Sequence, residues 1–311
     1  MRTFRIFHSF LFLCCVLGYT QNRSISERLG YAADAKLLIL HADDLGVAHS
    51  ENAASISALE KSPLNSASIM VPCSWFPEIA AYARKNRDKD FGLHMTLTSE
   101  WKHYKWGPVS SKETVSTLVN DGGYFYSLVD SLQNYGDPKE VEIELRNQVK
   151  KALRFGIDVT HLDAHMGAAA STPDFTAAYM KVGKEFGLPV LLDGRIHAME
   201  HDGIKILLDS NTVVVDRILA MGPAMYEQGA HQFYSNLLKN LEPGLNFLLL
   251  HPAYDSAEMQ AITIDHPDYG SEWRQADYDF LMSEDCSSII KEQNIKMITW
   301  RELRDKITRQ D

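Results

Sequence analysis

The 311-residue chain reads as an α/β protein, a (β/α) barrel of seven or eight strands. Short apolar runs rich in β-branched residues alternate with longer helix-like segments, the pattern of parallel strands covered on their faces by helices. No tandem repeat, low-complexity tract or Gly/Ser linker divides residues 36–311, so they are expected to form a single domain. A doubly wound open sheet is the main alternative, but its usual GxGxxG turn after the first strand is missing.

The elements follow in chain order. Arg2 and Arg5 precede an apolar stretch, Phe10 to Leu17, that is too short to span a bilayer comfortably. Gly18 and Thr20 stand at cleavage spacing before Gln21, so residues 1–20 are expected to be a signal peptide and the protein to be exported, periplasmic or secreted, with no stable membrane insertion after cleavage. Residues 21–35 are a polar lead-in. The expected strands are Leu37–Leu40, Ser66–Val71, Phe91–Leu97, Val159–Leu162, Val190–Leu192, Thr212–Asp216, Phe247–Leu250 and Ile295–Thr299. Asp137-Pro138, the amphipathic stretch after it and Gly156 spell a capped and terminated helix. Two further helices are expected over Ser50–Lys61 and Thr172–Phe186, with Ser50 and Thr172 as caps. The longest irregular connection, residues 100–136, carries Trp101, Tyr104, Trp106, Tyr124, Phe125 and Tyr126, either a satellite hydrophobic cluster or a sugar platform.

Composition narrows the partners. With 31 Lys+Arg against 41 Asp+Glu the net charge is −10, and it becomes −12 once residues 1–20 remove two arginines and no acids. Such a chain has no broad electrostatic grip on nucleic acid or anionic lipid. Two of the four cysteines fall in the leader; Cys73 and Cys286 remain, enough for one bond or two buried thiols and not for a disulfide scaffold. There is no CxxC or Cys/His zinc-finger spacing.

Histidines and aspartates gather at the ends of four expected strands: LLILHADDLG (Leu37 to Gly46), FGLHMTL (Phe91 to Leu97), THLDAHMG (Thr160 to Gly167) and FLLLHPAY (Phe247 to Tyr254). Parallel α/β folds bring the carboxyl ends of their strands to one face, so Asp43, Asp44, His94, His161, Asp163, His165 and His251 are expected to be neighbours. Imidazole with carboxylate is a ligand set for zinc or a similar divalent ion. His161, Asp163 and His165 share one side of an extended strand, and either histidine is a ligand candidate. Asp43 and Asp44 face opposite sides if extended, so using both needs a bend, for which Gly46 and the following helix leave room. The alternative for Asp43-Asp44 is to cap that helix, and for His161 to support its neighbours by hydrogen bonding.

At these residues the sequence resembles the YdjC-like (chito-oligosaccharide) carbohydrate deacetylases. The shared motifs are Ala42-Asp43-Asp44-Leu45-Gly46, Gly92-Leu93-His94-Met95-Thr96-Leu97, His161-Leu162-Asp163-Ala164-His165 and His251-Pro252, in the family's order, and the likeness covers residues 36–305. The resemblance implies a barrel like that of polysaccharide deacetylases and removal of N-acetyl groups from amino-sugar oligosaccharides. It also implies one divalent metal ion, usually magnesium in that family, held by Asp44, His94 and His165; ligand chemistry alone favours zinc or a similar ion. The chain departs from the family in two places: Met166-Gly167-Ala168 follows His165 where a His-rich stretch is usual, and the Arg expected near Leu191 is missing, the chain offering only Arg195 beyond Asp193-Gly194.

On this reading Asp43 is the candidate base, beside a ligand and so near the attacking water. His251 is the candidate acid, an imidazole expected to titrate near neutrality, with His161 and Asp163 in support. The rivals are a metal-dependent amide or ester hydrolase acting on a non-sugar substrate, a glycosidase working through paired carboxylates, and a secreted carbohydrate-binding protein with a vestigial site.

Overall fold

The structure is a computed structural model, and it describes residues 24–310. The leader assigned to residues 1–20 lies outside the described residues. Seven strands form the sheet: β1 (Lys36–Leu45), β2 (Ser66–Ile69), β3 (Phe91–Met95), β4 (Val159–Ala164), β5 (Arg217–Leu219), β6 (Gly244–Leu250) and β7 (Lys296–Met297). Every pairing among them is parallel, in the order β4-β3-β2-β1-β6-β5. β6 occupies one edge of β1 from Lys36 to Ala42, so β7 and β2 share the other: β7 pairs at Leu37 and Leu38, β2 from His41 onward. Asn65 closes the seam, donating to Ile298 O while its side-chain oxygen accepts from Leu40 N–H.

Beyond β4, the isolated parallel bridges Leu162 to Val190 and Asp193 to Val215 carry the sheet round toward β5. The expected run Val190–Leu192 therefore contributes single bridges, and the expected strand Thr212–Asp216 is displaced to Arg217–Leu219. Asp216 marks the changeover, its carboxylate accepting from Leu245 N–H at 2.7 Å.

Period-two alternation divides the core. Leu37 and Ile39 of β1 pack with Val213, Val215, Leu245, Phe247, Trp300 and Ile307 on the inner face. Leu38, Leu40, Ala42, Ala67, Ile69, Leu93 and Leu250 pack outward with the helices. On the inner face the same alternation continues into polar residues: His41 and Asp43, Ser66 and Ser68, Gly92 and His94, His161 and Asp163. An apolar floor thus carries a buried polar layer toward the carboxyl ends of the strands.

The helix Pro138–Arg154 begins on Asp137, which accepts from Lys139 N–H. The helix Pro173–Phe186 begins on Thr172 and ends on Gly187 in the left-handed region. Ser50 is not a cap: its helix starts earlier, at His49, and Ser50 N–H and Oγ–H both donate to Glu258 Oε2 at 2.9 Å. A carboxylate from a distant helix supplies the acceptor that a capping serine would have provided. Within the lead-in, Ile25–Arg28 forms one helical turn with a Ser24/Glu27 capping box, and Leu29 is buried in the floor cluster.

In the long connection, Trp101, Trp106 and Phe125 are buried and Trp101 packs edge-on to Trp106, so half of the six aromatics are core, whereas Tyr124 is exposed. Cys73 and Cys286 are free and buried. Among the described residues no helix is long and apolar enough to cross a membrane.

Candidate active site

Between Ala42 and Leu45 two residues of β1, Asp43 and Asp44, oppose the single Ser68 of β2, a β-bulge, and Asp44 takes a left-handed φ of +66°. Aspartate tolerates that conformation better than most residues. The bulge is the bend the adjacent aspartates require, and it sits at Asp44 itself as well as at Gly46, whose φ is +95°. Both carboxylates reach the polar layer, and neither caps the next helix, whose N-cap is Ala48.

Asp44 Oδ1 lies 3.3 Å from His94 Nε2 and 3.2 Å from His165 Nδ1. It is buried without a well-directed hydrogen bond. The far nitrogen of each imidazole faces a different carboxylate: His94 Nδ1 is 2.7 Å from Asp163 Oδ1, and His165 Nε2 is 3.0 Å from Glu100 Oε2. Donation on those sides leaves the near lone pairs aimed at Asp44 Oδ1. Three convergent donor atoms that do not satisfy one another fit a metal ion, with carboxylates orienting the imidazoles from behind. The electrostatics agree. Burial alone would make both histidines less basic, but Asp43 and Asp163 raise His94 well above its ordinary value, and Glu100 with Asp44 raises His165 to about 9. The pocket demands positive charge, which a divalent cation would meet.

Arg274, on the helix Ser271–Met282, closes the other side of Asp44. Its Nη2 donates to Asp44 Oδ2 and its Nη1 to Glu51 Oε2, both at 2.8 Å, and its Nε donates to Tyr269 O. The guanidinium lies over the Trp101 ring, 5.3 Å from its centroid. Burial opposes ionisation of Asp44, but Arg274 and the two histidines hold its carboxyl well below the usual range. Glu51, equally buried, is pushed up to about 8 and is protonated at neutral pH.

Asp43 Oδ2 faces the cluster with no hydrogen bond of its own, 3.9 Å from His94 Nε2 and 3.8 Å from His251 Nε2. Asp43 Oδ1 is held from beneath by His41 Nε2 at 3.1 Å and Ser68 Oγ at 3.5 Å. His251 departs from the near-neutral imidazole expected of it. Burial pushes it down to about 4, more than Asp44 and Asp43 can offset, so it is neutral at pH 7. His161 sits lower, stacked on Trp300, its Nδ1 at 2.9 Å from Thr160 Oγ1 and its Nε2 at 3.7 Å from Asp163 Oδ2. Of the two histidines in this motif, His165, just past the end of β4, joins Asp44, and His161, on the strand, does not.

A family model described as YdjC-like protein matches residues 37–292, which include every side chain of this cluster. The chain belongs to the YdjC-like family. It is similar to a carbohydrate deacetylase of Thermus thermophilus, 30% identical over 290 residues that cover 90% of this chain and 98% of the relative. A carbohydrate deacetylase of Thermoanaerobacter pseudethanolicus is 27% identical, covering 86% of this chain and 100% of the relative. Among solved structures, a protein of Enterococcus faecalis V583, provisionally assigned to cellobiose-phosphate cleavage, superposes with a TM-score of 0.71 at 21% identity, over 86% of this chain and 99% of that one. That likeness concerns the fold.

The two departures from the YdjC-like motifs lie together at the rim. Met166 and Gly167 both take positive φ, and the half-exposed Met166 accepts from Thr98 Oγ1 through Sδ. Arg195 folds back on Asp193 with its side chain largely in solvent. Asp193, Arg195, Gly167, Ala164 and Leu249 help line a cavity of about 520 Å³ beside the cluster's strands. Sequence reasoning missed His41, Glu51, Glu100 and Arg274. His41 had a signal, since it stands two residues before Asp43 and shares its face; the other three are brought in by loops and helices with no local pattern.

Proposed function

We propose that this YdjC-like protein is a metal-dependent carbohydrate deacetylase that hydrolyses N-acetyl groups of amino-sugar oligosaccharides and releases acetate. The observation that carries the reading is the convergence of Asp44 Oδ1, His94 Nε2 and His165 Nδ1 beside a carboxylate oxygen, Asp43 Oδ2, that is not hydrogen-bonded. The naming of its relatives as carbohydrate deacetylases supports the substrate class.

Asp44, His94 and His165 would hold the ion; the donor set suits zinc or a similar first-row metal, and the family resemblance favours magnesium. A divalent cation at such a site supplies Lewis acidity toward the acyl oxygen and lowers the pKa of water, worth several kcal/mol at the transition state. The remaining tasks fall to the chain. Asp43 Oδ2 accepts the proton of the attacking water. His251 is neutral at rest, so Nε2 must be charged before it can act as an acid, and Asp43 Oδ2, 3.8 Å away, is the nearest donor once protonated. His251 then delivers that proton to the leaving nitrogen as the C–N bond breaks, giving acetate and a free amine. Asp163 and Glu100 hold His94 and His165 in the tautomers that face Asp44, and Arg274 keeps Asp44 ionised. We also propose, from the signal peptide expected over residues 1–20, that the enzyme acts outside the cytoplasm.

The test is acetate release from N-acetylglucosamine oligomers of graded length, with and without a chelator. Metal-dependent release supports the reading. Release of shorter sugars that survives chelation would support a glycosidase, and turnover confined to other amides or esters would support the non-sugar hydrolase.

A further inference from the structure

His41 is fully buried on the inner face of β1 and belongs to no motif of the mechanism above. Its Nδ1 lies 2.9 Å from Ser66 Oγ. Its Nε2 is hydrogen-bonded to Ser68 Oγ at 3.1 Å and makes ion-pair contacts of 2.9 Å to Asp163 Oδ2, which has no well-directed hydrogen bond, and 3.1 Å to Asp43 Oδ1, to which Ser68 Oγ in turn donates. Those two aspartates have different tasks: Asp43 is the candidate base, and Asp163 orients His94 through its other oxygen. We propose that His41 is a positioning residue, a buried N–H donor that clamps Asp43 and Asp163 from beneath and so couples the aim of the base to that of the His94 imidazole. The proposal rests on the deacetylase reading in taking Asp43 as the base.

From β2 His41 meets only Ser66 and Ser68, from β6 the Phe247 ring at 4.8 Å, and from β4 Asp163 and the His161 ring at 5.1 Å. Burial lowers His161 from its ordinary value, and among the described residues Asp163 and Asp43 are the charges that act on His41. Burial pushes His41 down, yet hydrogen bonding to Asp163 and Asp43 outweighs it and lifts the group to about 9, consistent with Nε2 carrying a proton at pH 7. A donor at this point also keeps two carboxylates from facing each other unpaired in the interior. Because the clamp grips Asp43 Oδ1, Asp43 Oδ2 is the oxygen left for water.

Two readouts test the clamp. In nitrogen-15 NMR of the metal-loaded wild type at pH 7, His41 Nε2 is expected to be protonated; an unprotonated Nε2 overturns the proposal whatever the enzyme does. In kinetics, His41→Leu is expected to lower kcat at least about tenfold while KM and the bound metal stay close to wild type, and His41→Gln, which keeps a donor, to recover most of that loss. Added to Asp43→Asn, His41→Leu is expected to cost less than about threefold more, because the larger part of its effect runs through the base already removed and only the part through Asp163 and His94 is left. An unchanged kcat, full multiplication of the two losses, or a loss explained entirely by missing metal would overturn it. Should His41→Leu fail to fold, His41→Asn, too short to reach both carboxylates, replaces it. A wild type that releases no acetate refutes the deacetylase reading instead, and the NMR result still decides whether the clamp exists.

Discussion

Replacing Arg274 with glutamine removes the guanidinium that Asp44 and Glu51 share in the interior, together with its bond to Tyr269 O and its contact with the Trp101 face. Breaking a buried ion pair by deleting one partner costs about 3–5 kcal/mol, because a charge is left without compensation. Glu51, at about 8, is already protonated at pH 7, so Asp44 is the one carboxylate stranded and the lower figure applies. For a chain of this size about 3 kcal/mol corresponds to a fall in Tm of roughly 6 °C in the metal-free protein. Metal narrows the gap, because a cation on Asp44 supplies the charge missing only in the variant, which therefore gains more from binding than the roughly 2.7 kcal/mol that wild type gains from a ligand at about 100 times its Kd. Differential scanning calorimetry of wild type and Arg274→Gln, each metal-free and metal-saturated, reads both effects. A metal-free variant melting within about 1 °C of wild type would refute the claim that Arg274 compensates a buried, ionised Asp44.

Three further outcomes are expected. Asp43→Asn should keep its metal by elemental analysis and lose about 10²- to 10⁴-fold in kcat; loss of the metal would make Asp43 a ligand. A Cβ on Gly92 would stand 2.3 Å from His161 Cε1, so Gly92→Ala should cost about 1–3 kcal/mol in urea unfolding as the ring is driven from Trp300; an unchanged midpoint would show that the ring gives way freely. His41, raised from 6.5 to about 9, binds more protons folded than unfolded across that window. Its stabilisation is therefore complete below pH 6.5 and lost as pH rises through 9, roughly 3 kcal/mol at most. The difference in unfolding free energy between metal-free wild type and metal-free His41→Gln should shrink from pH 6.5 to 9, and a constant difference would contradict the charge assigned to His41.

The sequence made legible whatever a local period expresses. Alternation in β4 put His161 and Asp163 on one face, and His94, His165 and His251 stand at the ends of strands that reach one rim, so the convergence could be read before the fold was known. The bulge at Asp44 was legible as a requirement, since two adjacent carboxylates can share a site only if the strand bends. His41 was hidden by its setting, because it continues the apolar run Leu37–Leu40 and looks like a core position until its partners on β2 and β4 are seen. Arg274 and Glu100 left no trace: one comes from a helix 230 residues after Asp44 and the other from an irregular connection, and only the packing brings them in. The low basicity of His251 was equally out of reach, because burial sets it and burial is a property of the whole fold.

The central claim joins Asp44, His94 and His165 through one metal ion to acetate release. A single preparation tests it, assayed on N-acetylglucosamine oligomers as purified, after chelation and after return of a divalent metal, with bound metal counted at each stage. The account predicts one ion per chain, acetate release lost with that ion and restored with it, and no bound ion in a His94→Ala, His165→Ala variant. Undiminished release from the chelated protein, or one tightly bound ion in the doubly substituted variant, would contradict it.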